Sequence, residues 1–320
     1  MKKRIWLLGV GIFYVSCLIW GKTPESGHRN SGPVLLGDPF IMLFEEKYYA
    51  YGTSAENGIQ VLVSEDLEEW ETADTEDGLA LRKGEAWGER WFWAPEVYPV
   101  GGRFYMYYTA EEHICAAVAD SPLGPFRQEG EQPMLRGEKS IDNSLFIDED
   151  GKAYLFFDRF NDGLNIWVAE LNDDMLSFQR ETMHPCIRVS QEWEEVWPRV
   201  NEGAFVLRHK GRYYMTYSAN SYESPFYGIG CATAESIKGP WLKYADNPLL
   251  QNREGMVGIG HSAMFTDKEG KLRIVFHSHW SATEIHPRTM HIGYVRFVPQ
   301  KEGPDKMVIE GPFTNAVYKE

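Results

Sequence analysis

One strand–turn–strand pattern recurs five times along this chain of 320 residues, and that recurrence restricts the fold more than any other feature. The copies read GDPFIMLFEEKYYAYGTS from Gly37, WAPEVYPVGGRFYMYYTA from Trp93, IDNSLFIDEDGKAYLFFDR from Ile141, NEGAFVLRHKGRYYMTYSA from Asn201 and GHSAMFTDKEGKLRIVFHS from Gly260. Each opens on a small or polar residue, runs with strand character into a turn rich in Gly, Lys or Arg, and returns through an aromatic strand, so each predicts a hairpin. Aligned on the basic residue after the turn, the opening positions are Asp38, Ala94, Asp142, Glu202 and His261, separated by 56, 48, 60 and 59 residues. A third strand-like run follows at a similar offset in every unit: residues 58–63, 114–118, 165–169, 228–232 and 291–297. Two of these runs lead into near copies of one another, ADSPLGPF from Ala119 and AESIKGPW from Ala234. Roughly four strands per unit at this period predict an all-β chain folded as a five-bladed β-propeller. A β-sandwich is the competing all-β reading, and the double repeat disfavours it.

The propeller is expected to occupy residues 34–320 as a single domain. Ahead of it, Met1–Arg4 is basic and Ile5–Trp20 is an apolar run of 16 residues, short of the roughly 20 a bilayer span needs. Residues 1–22 therefore predict a signal peptide, followed by a flexible leader over 23–33. Tyr14–Cys17 loosely resembles a lipobox, so lipidation of Cys17 and ordinary cleavage both stay open. The expected location is outside the cytoplasm: periplasmic, secreted, or lipid-anchored at a bacterial surface. No membrane-spanning segment is expected in the mature chain. The other cysteines, Cys115, Cys186 and Cys231, show no C-x-x-C spacing, so neither zinc nor redox chemistry is indicated. A net charge of −15 argues against a nucleic-acid partner. Aromatic residues make up 14% of the chain, enough to supply sugar-stacking surfaces as well as blade packing.

In a propeller the innermost strands line a central channel, and their first residues meet at one mouth of it. This carries Asp38, Asp142, Glu202 and His261 into one pocket. Crowded carboxylates raise the cost of ionising one another, so one can hold a proton while another stays charged. That division is what a two-carboxylate glycosidase requires. Singly, Asp38 reads as an Asp-Pro turn residue, Asp142 and Glu202 as loop acids, and His261 as a structural histidine; the shared register favours the joint reading.

The ordered set Gly37-Asp38-Pro39, Trp93-Ala94-Pro95-Glu96, Ile141-Asp142-Asn143-Ser144, Asn201-Glu202-Gly203-Ala204 and Gly260-His261-Ser262 resembles glycoside hydrolase family 43 from about Leu35 to Phe297. The resemblance implies a five-bladed propeller that cleaves plant-type glycans with inversion, mostly releasing arabinofuranose or xylose. It implies Asp38 as general base, Glu202 as general acid, and Asp142 as the acid that orients Glu202 and keeps its pKa raised. An inverting site holds acid and base roughly 6.5–9.5 Å apart. His261 matches a histidine that faces a water-coordinated calcium ion in many relatives; no cofactor is implied for the chemistry itself. Trp93 resembles a pocket-wall aromatic, and Arg288 stands where relatives place an arginine against the sugar. Phe40, Asn143 and Phe160 are further substrate-contact candidates from their nearness to the motifs, whereas Glu96 reads as structural.

The chain departs from the family pattern with Asp142-Asn143 where Asp-Pro is frequent, and with Glu-Gly-Ala where Glu-Gly-Pro is; both acids are kept. The expected activity is release of α-L-arabinofuranose by a monomer acting on a carbohydrate substrate. β-Xylosidase, endo-arabinanase and exo-β-galactosidase activities stay open. A non-catalytic glycan-binding propeller and a protein-binding propeller are the alternatives from other classes, and the retention of all three acids weighs against both.

Overall fold

The computed structural model describes residues 32–319 except 129, 131, 197 and 198, and among these it shows the five-bladed propeller that the repeat predicts. The first blade holds β1 (Gly37–Phe44), β2 (Lys47–Thr53), β3 (Gly58–Ser64), β4 (Glu69–Thr72) and β5 (Leu79–Arg82). The second has three strands, β6 (Trp93–Val100), β7 (Arg103–Ala110) and β8 (His113–Ala119). The third comprises β9 (Ser140–Ile147), β10 (Ala153–Phe160), β11 (Leu164–Glu170) and β12 (His184–Ile187). The fourth comprises β13 (Asn201–His209), β14 (Arg212–Ala219), β15 (Gly228–Ala234) and β16 (Leu242–Lys243). The fifth comprises β17 (Gly260–Thr266), β18 (Leu272–Ser278), β19 (Thr289–Val298) and β20 (Lys306–Asn315). A last short strand, β21 (Val317–Tyr318), leaves the fifth blade and pairs in parallel with β4 of the first. The expected export segment, Cys17 included, lies outside the described residues.

The blades are held by apolar faces buried between neighbours. Tyr107, Leu145, Leu155 and Phe157 fill the gap between blades two and three, and Phe156, Val206, Met215 and Trp241 the gap between three and four. Tyr214, Ile229, Met264 and Phe276 join blades four and five. Burying each such large side chain contributes roughly 1.5–3 kcal/mol. Cys231 is a buried free thiol in the last of these layers, and Cys115 is one in the cluster that packs the first two blades, each as a small hydrophobe.

Closure of the ring has a second component that repeats with the blades. The inner strand of every blade carries a bulge just after its first residues, where the ladder skips between Gly37 and Phe40, Trp93 and Glu96, Glu202 and Phe205, and Gly260 and Ala263, with the matching break in blade three at Asp142–Asn143. At each bulge one residue takes a left-handed backbone: Asp38 (φ 46°), Ala94 (44°), Asp142 (55°), Gly203 (59°) and His261 (48°). The amide freed by each bulge is bonded by a side chain at the end of the preceding blade's second strand. Ala94 N–H donates to Thr53 Oγ1 (3.0 Å), Asp142 N–H to Thr109 Oγ1 (3.1 Å) and Gly203 N–H to Asp158 Oδ2 (3.0 Å). His261 N–H donates to Ser218 Oγ (2.7 Å), and Asp38 N–H donates to His277 Nδ1 (3.1 Å), which ties the last blade to the first. Each of these five left-handed residues thus has its amide bonded, as a buried N–H requires.

Candidate active site

A bulge bends its strand and re-aims the side chain it carries, and here it turns Asp38, Asp142 and His261 toward the channel. Left-handed backbone at non-glycine residues costs of order 1–3 kcal/mol each and collects at functional sites. Glu202 does not share this position. It sits one residue before the bulge, paired with Ser218, and Gly203 takes the left-handed place. The one-residue slip in the sequence alignment has a plain cause. The hairpin turns of blades one, two and four have two residues, whereas those of blades three and five have five, so the basic residue after the turn is not a constant ruler. The pre-bulge position also serves the pocket. Its equivalents Gly37 and Gly260 are glycines because a Cβ there would overlap the Arg288 guanidinium and the Tyr227 ring.

Asp38 lies in a cationic cradle. Arg288 grips it with both terminal nitrogens, Nη1 to Oδ1 at 2.6 Å and Nη2 to Oδ2 at 2.9 Å, and Thr53 Oγ1 donates to Oδ2 at 2.6 Å. His261 Nδ1 and His277 Nδ1 lie 3.4 and 3.5 Å from Oδ1. Burial alone would raise the Asp38 pKa, but the Arg288 charge, followed by the two imidazoles, holds it well below the usual carboxylate range. Removing the guanidinium exposes that dependence. In Arg288→Gln the acid limb of the kcat/KM profile moves to higher pH by roughly one to three units; an unmoved limb in a pH titration would contradict the pairing.

Glu202, on the fourth blade, has the opposite environment. It is 8% exposed, and its Oε1 accepts from the Tyr227 hydroxyl at 2.6 Å. Burial and then the Asp38 charge raise its pKa to about 7, against the opposing pull of the Tyr227 hydrogen bond and Arg288. Blades one and four are not neighbours in the ring, so Asp38 and Glu202 approach the hollow from separate sides. Asp142 stands beside them with Oδ2 3.7 Å from His261 Nδ1, and its pKa is raised by burial and then by the charges of Glu202 and Asp38. His261 and His277 are held toward the neutral form, chiefly by burial.

Other expected contacts fall elsewhere. Phe40 is not a pocket residue: it is 5% exposed, and its ring packs 5.2 Å from that of Tyr98. It lies two residues past the bulged Asp38, where the ladder is regular again and its ring packs into the hydrophobic core. Asn143 is likewise buried, and its Nδ2 bonds to Ala94 O at 3.3 Å, tying blade three to the bulge of blade two. Arg288, expected against the sugar, spends both terminal nitrogens on Asp38. Trp93 does stand at the pocket end of β6, stacked on exposed Trp91 at 5.6 Å. Glu96 is structural, with its carboxyl taking the Tyr98 hydroxyl and its pKa pushed up to about 8 by burial. The sequence reading missed Tyr227, His277 and Asp158. Two of these had a signal: with Thr53, Thr109 and Ser218, Asp158 and His277 form a run of polar residues closing the second strand of every repeat.

Exposed Trp91, Tyr222, Phe226 and Trp280 lie in connections at the end of the blades where the inner strands begin, and exposed Phe160 closes β10 at the same end. A hollow of about 320 Å³, lined among others by Met256, His279, Trp280 and Thr289, lies on the fifth blade, and none of Asp38, Asp142, Glu202 or Arg288 forms its wall. Among the described residues no group of three or more His, Cys, Asp or Glu side chains is placed to hold a metal ion. A calcium ion facing His261, as the resemblance implies, would be held chiefly through water ligands, and the acid–base chemistry of the pocket does not pass through it. No helix among the described residues is long and apolar enough to cross a membrane.

A carboxylate held in an arginine fork on one blade, a buried carboxyl of raised pKa on another and a rim of exposed aromatic rings are the parts expected of a propeller glycoside hydrolase. The chain belongs to the glycosyl hydrolases family 43, whose family model matches residues 32–298. It is similar to a xylosidase/arabinosidase of Humicola insolens, 25% identical over 75% of this chain and 96% of that one. A β-D-galactofuranosidase of Aspergillus niger is 26% identical over 80% and 78% of the two chains. Among solved structures, one described as an endo-1,4-β-xylanase from Bacteroides thetaiotaomicron superposes with a TM-score of 0.85 at 44% identity, covering 91% of this chain and 99% of that one.

Proposed function

We propose that this glycoside hydrolase cleaves arabinose- or xylose-containing polysaccharide with inversion, releasing α-L-arabinofuranose. The observation that carries the mechanism is the contrast between two carboxyls, Asp38 gripped by the Arg288 fork and Glu202 buried against the Tyr227 hydroxyl, which pushes their pKa values apart. Asp38, ionised in the Arg288 fork, takes a proton from the attacking water. Glu202 gives its proton to the departing glycosidic oxygen. As the leaving oxygen gains negative charge, a neighbouring acid near neutral proton affinity matches it at working pH. Asp142 adds like charge to the pocket and is the group that orients Glu202. Inversion follows if water and leaving group lie on opposite faces of the sugar, which the separate approaches of blades one and four support.

A second reading, cleavage of the xylan backbone, is favoured by the 44% identity to the protein described as an endo-1,4-β-xylanase. One product analysis separates the two. Incubated with branched arabinan and with arabinoxylan, the enzyme is expected to release free arabinose, first in the inverted anomeric form when followed by NMR. Release of xylo-oligosaccharides instead supports the second reading, and a retained anomer rejects the water-activating role of Asp38.

A further inference from the structure

We propose that Asp158 is a positioning residue of the glycosidase site, a neutral carboxylic acid that donates from Oδ1 to the Asp142 carboxylate while its Oδ2 fixes the peptide that follows Glu202. The proposal rests on the roles given above to Asp142 and Glu202.

Asp158 is on β10, where it pairs with Ile141, the residue before Asp142. Its exposure is 0%, lower than that of any acid in the pocket proper. Oδ2 accepts from Gly203 N–H at 3.0 Å. Oδ1 is buried and meets no N–H or O–H donor. An ionised carboxylate with a naked, desolvated oxygen is costly. The acidic neighbour in electrostatic contact with it is Asp142, which follows Asp158's strand partner Ile141 and which we infer meets Oδ1 in a carboxyl–carboxyl hydrogen bond. Two carboxyls can share one only if a proton lies between them.

The surroundings decide which of the two keeps it. The groups facing Asp158 are Asp142 from β9, Glu202 from β13 and the Cys186 thiol from β12. Asp142, by contrast, faces His261 and feels the Arg288 charge. Burial first, then the charges of Asp142 and Glu202, raise the Asp158 pKa; the shared hydrogen bond raises it further and lowers that of Asp142. The pair titrates as a unit with its proton on Asp158. Asp142 is thereby held as an oriented carboxylate, and the backbone at residues 202–203 is pinned from the same side chain. Nothing is transferred during turnover; the proton stays on Asp158.

The test compares Asp158→Asn with Asp158→Leu, each assayed for kcat and kcat/KM against pH on whichever arabinan or xylan substrate the wild type turns over fastest. An amide can donate to Asp142 and accept from Gly203, so D158N is expected to lose only about threefold to tenfold in kcat, with the basic limb in place. D158L removes both bonds. It is expected to lose roughly a hundredfold, and because Asp142 then protonates more readily, Glu202 loses a like charge and the basic limb moves to lower pH. The infrared difference between wild type and D158N at neutral pH is expected to show one carboxylic-acid carbonyl band lost. If D158N loses as much as D158L, or the acid band is absent from the difference, the proposal fails; a D158L that does not fold leaves the amide variant and the spectrum to decide. These outcomes do not test Glu202 itself, whose assignment fails separately if Glu202→Gln leaves the basic limb unchanged.

Discussion

Asp38→Asn is expected to lower kcat by about 10³-fold or more on the natural linkage while leaving sugar binding largely intact. The amide keeps the shape of the carboxyl, and its one oxygen, at the Oδ2 place, still accepts from Thr53 Oγ1 and Arg288 Nη2, so the pocket is not dismantled. What disappears is the capacity to take a proton from water. The buried guanidinium also loses its countercharge, which costs some stability but not the fold. Kinetics beside calorimetric titration with the released sugar separate the two effects. Added azide, a nucleophile that needs no deprotonation, is expected to restore part of the turnover and give a glycosyl azide of inverted configuration. Retention of more than a tenth of wild-type kcat would remove Asp38 from the role of base.

Glu202→Gln has an effect of similar size with a different signature. Loss of the proton donor is expected to cost about 10²–10⁴-fold where the departing oxygen is a sugar hydroxyl. A dinitrophenyl glycoside, whose leaving group departs without a proton, is expected to be hydrolysed at close to the wild-type rate. In the wild type, kcat/KM falls as pH rises through about 7, because the pKa of the acid is raised by burial and by Asp38; in E202Q that limb is absent. Equal losses on both leaving groups, or a surviving limb near pH 7, would move the acid role to another residue.

The five-blade architecture and the set of acids were legible in the sequence because both are periodic. Hydrophobic runs, turns and opening residues recur together, and propeller closure brings those openings to one place. Legibility ended where the period was broken by one residue. The unequal hairpin turns hid the true register of Glu202, and the bulge hid the direction of Phe40 and Asn143, since a half-step along a strand reverses a side chain. Arg288 was found by position but not by partner, because its contact with Asp38 spans 250 residues of sequence. Tyr227 carried no periodic mark; its placement depends on an absence, the missing side chain of Gly260.

The five inter-blade bonds ask very little of the residues that make them. Threonine twice, then aspartate, serine and histidine all satisfy the bulge amide. The demand is for a lone pair at a point in space, and each of these side chains keeps hydrogen-bonding capacity once that demand is met, as Thr53 does in donating to Asp38. Architecture and reactivity can therefore occupy one residue without competing for it. A scaffold of this kind can acquire new chemistry at its hub by exchanging one acceptor for another, with the wheel remaining shut throughout.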